Sequence, residues 1–511
     1  MTQHGDERPA AEGEPSATGE PTIVVSLIPI GMLVVLLSLS FYFFRDEASY
    51  GPNQVALIFC ALVAAGLAYR NGLPWDGIRQ AMIDGVATGI AAIGILLAVG
   101  ALIGTWALSG TIVAMVYYGL QILSPDYFYA TAALICAAVA FSIGSSWTTA
   151  GTIGIGLMGI AGSMHLSPAI AAGAVISGAY FGDKASPLSD TANLATAAAG
   201  SDLFTHIRES LWTSIPALLL AVVGFGILGK PGDFDPSVSL AAIQSHVAVS
   251  AWNFLPLVVV LALAVLRCPP MVVIFIGALA GGALAVVHNP DAVVAFAKAP
   301  EMARPLALFK GVWAALATGY HVETGNAAID QLMSRGGMSS MMVTVWLIIC
   351  ALAFGAAVEH GGFMTRLISP LLRRARSVGT LVALLVATCI GANVITSDQY
   401  IAVVLPGRLF RAEFLKRGLA PVFLSRVIGD SAIVTSPLVP WNSCGAYMAA
   451  TLGVPTMAYV GFCFFNLFNP LLTILFSFIA FRVLRTPETA QRVPAANPYP
   501  SSGTPQPPTG A

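Results

Sequence analysis

The fold is decided by Gly178-Ala-Tyr-Phe-Gly-Asp-Lys-Ala-Ser-Pro-Leu-Ser-Asp-Thr-Ala-Asn-Leu-Ala-Thr196, which sets two aspartates, a lysine and a proline inside apolar surroundings. From Tyr127 to Gly182 there is no Asp, Glu, Lys or Arg, so Asp183, Lys184 and Asp190 arrive at the end of a stretch that otherwise reads as membrane. Ionisable groups in such a place are expensive and mark a functional position.

Working outward, the chain is 57% hydrophobic and only 10% charged, against about 25% charged residues in a soluble domain. Apolar runs at Thr22 to Phe44, Asn53 to Tyr69, Gly85 to Leu108, Ser210 to Gly229, Val247 to Leu266, Met271 to Val287, Met338 to Val358 and Ser377 to Ser397 suit helices of about 20 residues crossing a bilayer. They are continuous rather than alternating, which disfavours a β-barrel. The expected fold is an all-α polytopic membrane protein whose partner is the lipid bilayer. Thr111 to Leu123 is a further span, Leu73 to Asp84 a short interfacial helix, and Tyr127 to Gly182 has the length for two crossings with something irregular between them.

The division along the chain follows composition. Residues 1–21 are polar and acidic, the reverse of the basic start of a secretory signal, and residues 486–511 hold seven prolines among small residues, so both ends read as disordered tails. Residues 22–229 form a first membrane repeat, 230–246 a polar linker, and 247–485 a second repeat with an extra surface segment at 289–337, where Glu323 and Asp330 fit a solvated layer. Seven scattered cysteines lack metal-ligand spacing. A net charge of −1 suggests no nucleic-acid partner.

Gly144-Ser-Ser-Trp-Thr-Thr-Ala-Gly-Thr152 clusters Gly, Ser and Thr in mid-membrane sequence. Irregular backbone survives there only when buried in protein or lining a cavity, so the segment reads as the tip of a re-entrant hairpin. A repeat supports this. Gly144 stands 39 positions before Asp183, Gly391 stands 39 before Asp430, and the halves are offset by 247 residues. Ser186-Pro-Leu188 matches Ser436-Pro-Leu438 after a three-residue insertion, and Ser145 to Thr152 faces Ala392 to Gln399. Corresponding interrupted segments in two halves are the pattern of secondary transporters, with substrate near the midplane. Arg70, Arg79, Arg366, Arg373, Arg374, Arg376, Arg482 and Arg485 place both termini in the cytoplasm by the positive-inside rule.

Other classes fit less well. An enzyme is not expected: an intramembrane protease needs a catalytic set, and there is no His-Glu-x-x-His and no base for Ser145 or Ser146. A channel does not need two titratable broken repeats. Glu359 beside His360 reads as a helix end, and His165 as part of a connection.

Gly182-Asp-Lys-Ala-Ser-Pro-Leu-Ser-Asp-Thr-Ala-Asn-Leu-Ala195 resembles the signature of the NhaC-type sodium/proton antiporter family. So do Gly104-Thr-Trp106, Gly144-Ser-Ser-Trp147, Arg335-Gly-Gly-Met338, Ser397-Asp-Gln-Tyr400 with Pro406-Gly-Arg408, and Thr435-Ser-Pro-Leu-Val-Pro-Trp-Asn442. Thr148, Ala185, Ala192 and Gly429 depart from the family pattern. The resemblance implies inverted repeats with paired re-entrant hairpins and broken helices, an elevator-like transport domain in the cytoplasmic (inner) membrane, and exchange of cytoplasmic sodium for external protons. No cofactor is implied beyond the transported Na+ and H+. Association into a homodimer is compatible with this. Relatives that couple sodium to an organic acid or amino acid supply the alternative function.

Such an antiporter needs a carboxylate that holds either a proton or the ion and is never left bare in the membrane. Sodium takes its remaining ligands from uncharged oxygens. Asp183 and Asp190 are the expected exchange groups, with Ser145, Ser146, Thr148, Thr149, Ser186, Ser189 and Asn193 around them and Lys184 as charge partner. A second set is Asp398, Asp430, Thr396, Ser436 and Asn442. No intramembrane arginine stands near the first hairpin, which favours a bare cation over a carboxylate substrate.

Overall fold

A computed structural model of the chain describes residues 20–229, 236–246, 249–323, 330 and 333–486. Residues 1–19 and 487–511 of the expected tails and 230–235 of the expected linker lie outside the described residues. Among those described, seven helices are long and apolar enough to cross a membrane, or up to nine if each of two bent pairs is one span. Backbone polar groups are satisfied within helices, as hydrocarbon demands.

The N-terminal half begins with α1 (Ile23–Phe44), α2 (Pro52–Arg70), α3 (Trp75–Thr88), α4 (Ile90–Leu108) and α5 (Thr111–Ile122). The interfacial helix expected at Leu73 to Asp84 is instead the start of a 34-residue helical run, Trp75–Leu108, marked by a break at Gly89. A Cβ there would lie 2.2 Å from Leu352 Cδ1, so the absent side chain lets α3 and α4 press against a later helix. Tyr127 to Gly182 is three helical segments rather than two. These are α6 (Phe128–Ile143), an interrupted helix made of α7 (Ser146–Thr149), a π turn at Ala150–Gly154 and α8 (Ile155–Ser163), and α9 (Pro168–Ala185). Then come α10 (Asp190–Ala199) and α11 (Leu203–Leu228). The hairpin tip is narrower than expected: only Gly144 and Ser145 leave the helix, with Gly144 at φ 78°.

The second half runs through α12 (Pro236–His246), α13 (Leu255–Val265), α14 (Pro270–His288), α15 (Pro290–Ala297), α16 (Arg304–Thr318), α17 (Met342–His360), α18 (Phe363–Arg374) and α19 (Val378–Thr396). It ends with α20 (Gln399–Lys416), α21 (Pro421–Ile428) extended by a π turn at Gly429–Ile433, α22 (Ser443–Leu452), α23 (Thr456–Tyr459) and α24 (Phe464–Phe478). The described part of the expected linker is helical, and Gln244 Nε2 of α12 donates to Tyr117 Oη at 2.6 Å. The segment expected as a solvated layer includes α16, which exposes Arg304 and Lys310 but also an apolar face of Leu306, Phe309 and Trp313. That face suits lipid. Glu323 beyond it is exposed.

The repeat has a different register from the one its motifs suggest. Helix-breaking features recur at Gly144 and Ser397, both left-handed, and at the N-caps Ser145 and Asp398. They recur again at the first helical prolines Pro168 and Pro421, the N-caps Ser189 and Asn442, and the left-handed Gly200 and Gly453. Every pair is 253 residues apart, not 247. In this register Asp183 corresponds to Ser436, and Asp430 to Ser177.

The two units are inverted. At one face Ser167 N donates to Tyr129 Oη at 2.9 Å, joining the starts of α6 and α9, and a Cβ on Gly173 would meet Phe462 O at 2.5 Å. At the opposite face Arg417 Nη2 donates to Ala375 O at 2.6 Å and Ser201 Oγ to Ser425 Oγ at 2.9 Å. Thus α6 with α7–α8 enters from the first face and returns to it, whereas α19 with α20 does the same from the second. The breaks of α9–α10 and α21–α22 lie between. Ala375 before the Ser377 span and Arg417 after α20 therefore share one side.

Candidate functional site

Asp183 sits in the last turn of α9, and Gly182 beside it brings α9 against α6: a Cβ there would lie 2.4 Å from Ala137 O. The carboxylate is 3% exposed. Its Oδ2 accepts from Ser146 N at 3.2 Å and Ser146 Oγ at 2.7 Å, and its Oδ1 from Ser189 Oγ at 2.6 Å and Thr191 Oγ1 at 3.4 Å. Ser146 opens α7, and Ser189 caps α10. Asp183 therefore lies between the N-termini of two broken helices, whose amide ends favour negative charge. Hydrogen bonds to a charged acceptor are the strong kind.

The remaining first-repeat candidates divide. Ser145 caps α7 through Thr148 N, Thr148 Oγ1 donates to Ser145 Oγ at 3.0 Å, and Thr149 Oγ1 donates to Ser145 O at 2.9 Å. Ser186 Oγ accepts from Leu188 N, and the exposed Asn193 donates to Ser189 O. These five shape the breaks rather than touch Asp183. Asp190 is exposed, and its Oδ2 accepts from Tyr400 Oη of α20 at 2.6 Å. Thr191 and Tyr400 were not among the expected site residues, although both stand inside quoted motifs.

In the second repeat Asp398 caps α20 by accepting from Ile401 N at 2.9 Å. Thr396 donates to Ala392 O, and Ser436 to Ile433 O. Asn442 Nδ2 donates to Asn393 O and Oδ1, while Asn442 Oδ1 accepts from Cys444 N. Asn393 Nδ2 reaches Ala432 O at 2.7 Å, a carbonyl of the π turn. This half carries no carboxylate at the position equivalent to Asp183. The repeats also grip one another reciprocally: Tyr400 of α20 bonds Asp190 of α10, and Trp147 of α7 stacks on Tyr447 of α22 at 4.1 Å.

Lys184, expected as a charge partner at this site, pairs elsewhere. Lys184 does not serve Asp183, because adjacent helical residues point about 100° apart. Its ammonium instead pairs with Asp430 and donates to Ser214 Oγ at 2.8 Å and Asn469 Oδ1 at 3.1 Å. Asp430 further accepts from Thr213 Oγ1 at 2.9 Å and Thr473 Oγ1 at 2.6 Å. Both charges are fully buried, and the pair joins the two repeats. Asp430 thus shares no hydrogen-bond partner with Asp398 and stands apart from the rest of the expected second set, in which Thr396 Oγ1 donates to Asp398 O at 3.3 Å. Nearby lie buried His206, Glu209 and Arg426, which sequence reasoning passed over. Their signal was charge inside the apolar run of α11 and four residues before Asp430.

The described residues include no cluster of three His, Cys, Asp or Glu side chains able to hold a metal ion. The groups that meet the Asp183 carboxylate are the hydroxyls of Ser146, Ser189 and Thr191 and the Ser146 amide.

Comparison with known proteins gives a consistent picture. The model of the Na+/H+ antiporter family matches residues 178–481. The chain is 36% identical over 466 residues to the Na(+)/H(+) antiporter NhaC of Alkalihalophilus pseudofirmus, covering 90% of this chain and 96% of that protein. It is 34% identical to the Na(+)/H(+) antiporter NhaC of Bacillus subtilis, over 88% of this chain and 96% of that one. It is also 33% identical to the malate-2H(+)/Na(+)-lactate antiporter of Bacillus subtilis, over 90% and 95%. All three are named as antiporters and none as an enzyme.

Proposed function

Because the chain belongs to the Na+/H+ antiporter family, we propose that it exchanges sodium for protons across a membrane at Asp183. The observation that carries this reading is a buried carboxylate held by Ser146, Ser189 and Thr191 between two helix N-termini. A protonated Asp183 is neutral and can be carried through hydrocarbon-like surroundings. A sodium ion at the same carboxylate is also neutral as a pair, and the three hydroxyls supply uncharged oxygens once they turn their lone pairs to the ion. The two states exclude each other, so one ion must leave before the other binds. That competition couples the flows.

Transport by alternating access fits the inverted repeats, with the breaks at mid-depth and the Asp190–Tyr400 and Trp147–Tyr447 contacts remade as the repeats shift. In an elevator-like version, α6–α11 and α19–α24 carry Asp183 past the other helices. By the positive-inside rule the face bearing Arg417 and Arg485 is cytoplasmic. Glu20 before α1 pairs with Arg366 at 3.0 Å, consistent with both termini on that face.

A second reading is sodium-coupled exchange of an organic acid, favoured by the similarity to a protein named for malate and lactate. A carboxylate substrate needs a cation to meet it, and the groups that meet Asp183 are hydroxyls and one amide, with Lys184 engaged by Asp430 and Arg426 on the Asp430 side, which supports the bare cation at Asp183. The test is a proton gradient in everted membrane vesicles. Sodium should collapse the gradient with the unaltered protein and not with Asp183→Asn. No response to sodium, with sodium-driven uptake of lactate or malate, would replace this reading with the second.

A further inference from the structure

We infer that the hydroxyl of Tyr180 is a further ligand of the transported cation, lying between Asp183 and the second repeat. This rests on the reading of Asp183 as the exchange site. Tyr180 precedes Asp183 by three residues on α9, so the two side chains share a face of the helix. Its side chain is wholly buried, and its hydroxyl makes no hydrogen bond. A buried hydroxyl without a partner is uncommon in a folded protein, and a bound ion is one of the explanations such a group calls for.

The surroundings of that oxygen point to a cation. It is within electrostatic range of Asp183 and close to Ser436 and Cys444 without good hydrogen-bond geometry to either. Cys444 Sγ is turned to Gln399 Oε1 at 3.0 Å, and Ser436 Oγ donates to Ile433 O at 2.8 Å, so the protons of both neighbours are directed elsewhere. Ser436 Oγ and Cys444 Sγ therefore keep lone pairs that can serve a cation shared with Tyr180 and Asp183. Ser436 is also the residue that the 253-residue register places opposite Asp183. The cation would therefore be shared across the two repeats, with the first supplying the charge and the second supplying neutral oxygen. Ordinary structural tyrosines here differ: Tyr447 donates to Trp147 O at 2.8 Å and Tyr459 to Pro437 O at 2.9 Å.

The test is Tyr180→Phe, which removes only the oxygen. In purified protein, the sodium concentration giving half of the sodium-dependent rise in melting temperature should increase about tenfold, and the same shift should appear in half-saturating sodium for vesicle exchange. The sodium-free melting temperature should not fall, since no hydrogen bond is lost. An unaltered sodium dependence in both assays overturns the assignment, as does a fall in sodium-free melting temperature that accounts for the whole change. If the unaltered protein itself shows no sodium dependence, the exchange reading of Asp183 fails. If it does and Tyr180→Phe matches it, only the role of Tyr180 fails.

Discussion

Lys184 reaches across the molecule to Asp430, 246 residues away in the chain, and leaves its neighbour Asp183 to hydroxyl groups and one backbone amide. The two aspartates are thereby set to different tasks. Asp430 is paired with an ammonium, whereas Asp183 is paired with none, as the proposed exchange at Asp183 requires.

Breaking the pair should cost the fold rather than the ion site. Lys184→Met or Asp430→Asn alone leaves an uncompensated or unmet buried group and should destabilise by about 3–5 kcal/mol. Lys184→Met combined with Asp430→Leu removes both charges and should recover much of that loss. Melting of the purified variants checks this, and a double variant less stable than both singles would contradict it.

Ser189→Ala removes a donor 2.6 Å from Asp183. The lost hydroxyl is one of the three neutral oxygens proposed for the ion, so half-saturating sodium in vesicle exchange should rise about tenfold, a loss of about 1.4 kcal/mol in binding. Thr148→Ala, whose hydroxyl bonds Ser145 only, should shift it less than about twofold.

Tyr400→Phe frees Asp190 from the opposite repeat. The bond is exposed, so the stability change should stay below about 1 kcal/mol. Turnover at saturating sodium should rise, because a contact that must be remade in each cycle is gone. Stopped-flow measurement of proton movement in proteoliposomes would show it.

The two glycines that the motifs align should behave differently. Gly144 has φ 78°, and a Cβ would lie 2.6 Å from the Leu188 backbone. Gly144→Ala should therefore lose more than the roughly 1–2 kcal/mol of a left-handed residue. Gly391 is inside α19 with nothing within 4 Å of its Cβ position, and Gly391→Ala should be neutral or stabilising by up to about 1 kcal/mol. Equal losses in melting temperature would argue for the 247-residue register.

These contrasts mark what the sequence made legible. The spans were readable because hydrocarbon demands about 20 apolar residues, and α1, α2, α14 and α19 fall within a few residues of expectation. Asp183 stood out because its charge interrupts such a run. The register did not, because Gly-Asp and Ser-Pro-Leu recur at 247 and 250 residues while the helix breaks recur at 253. The π turns deepen the mismatch, falling in Ala150–Gly154 of the first unit and on Asp430 itself in the second. Lys184 misled for a geometric reason: sequence neighbours on a helix diverge, and its partner is set by tertiary packing. The roles of Tyr180, Thr191 and Tyr400 depend on which surfaces meet between repeats, which no local pattern encodes.

Proton release on sodium binding tests the central claim most directly. Purified protein in weakly buffered detergent solution, at a pH where Asp183 is largely protonated, is mixed with sodium while a dye follows free protons. The unaltered protein should release protons saturably, with half-release moving to higher sodium as the pH is lowered. Asp183→Asn should release none while remaining folded. Equal release from Asp183→Asn would contradict the assignment of Asp183 as the group that holds sodium and protons in turn.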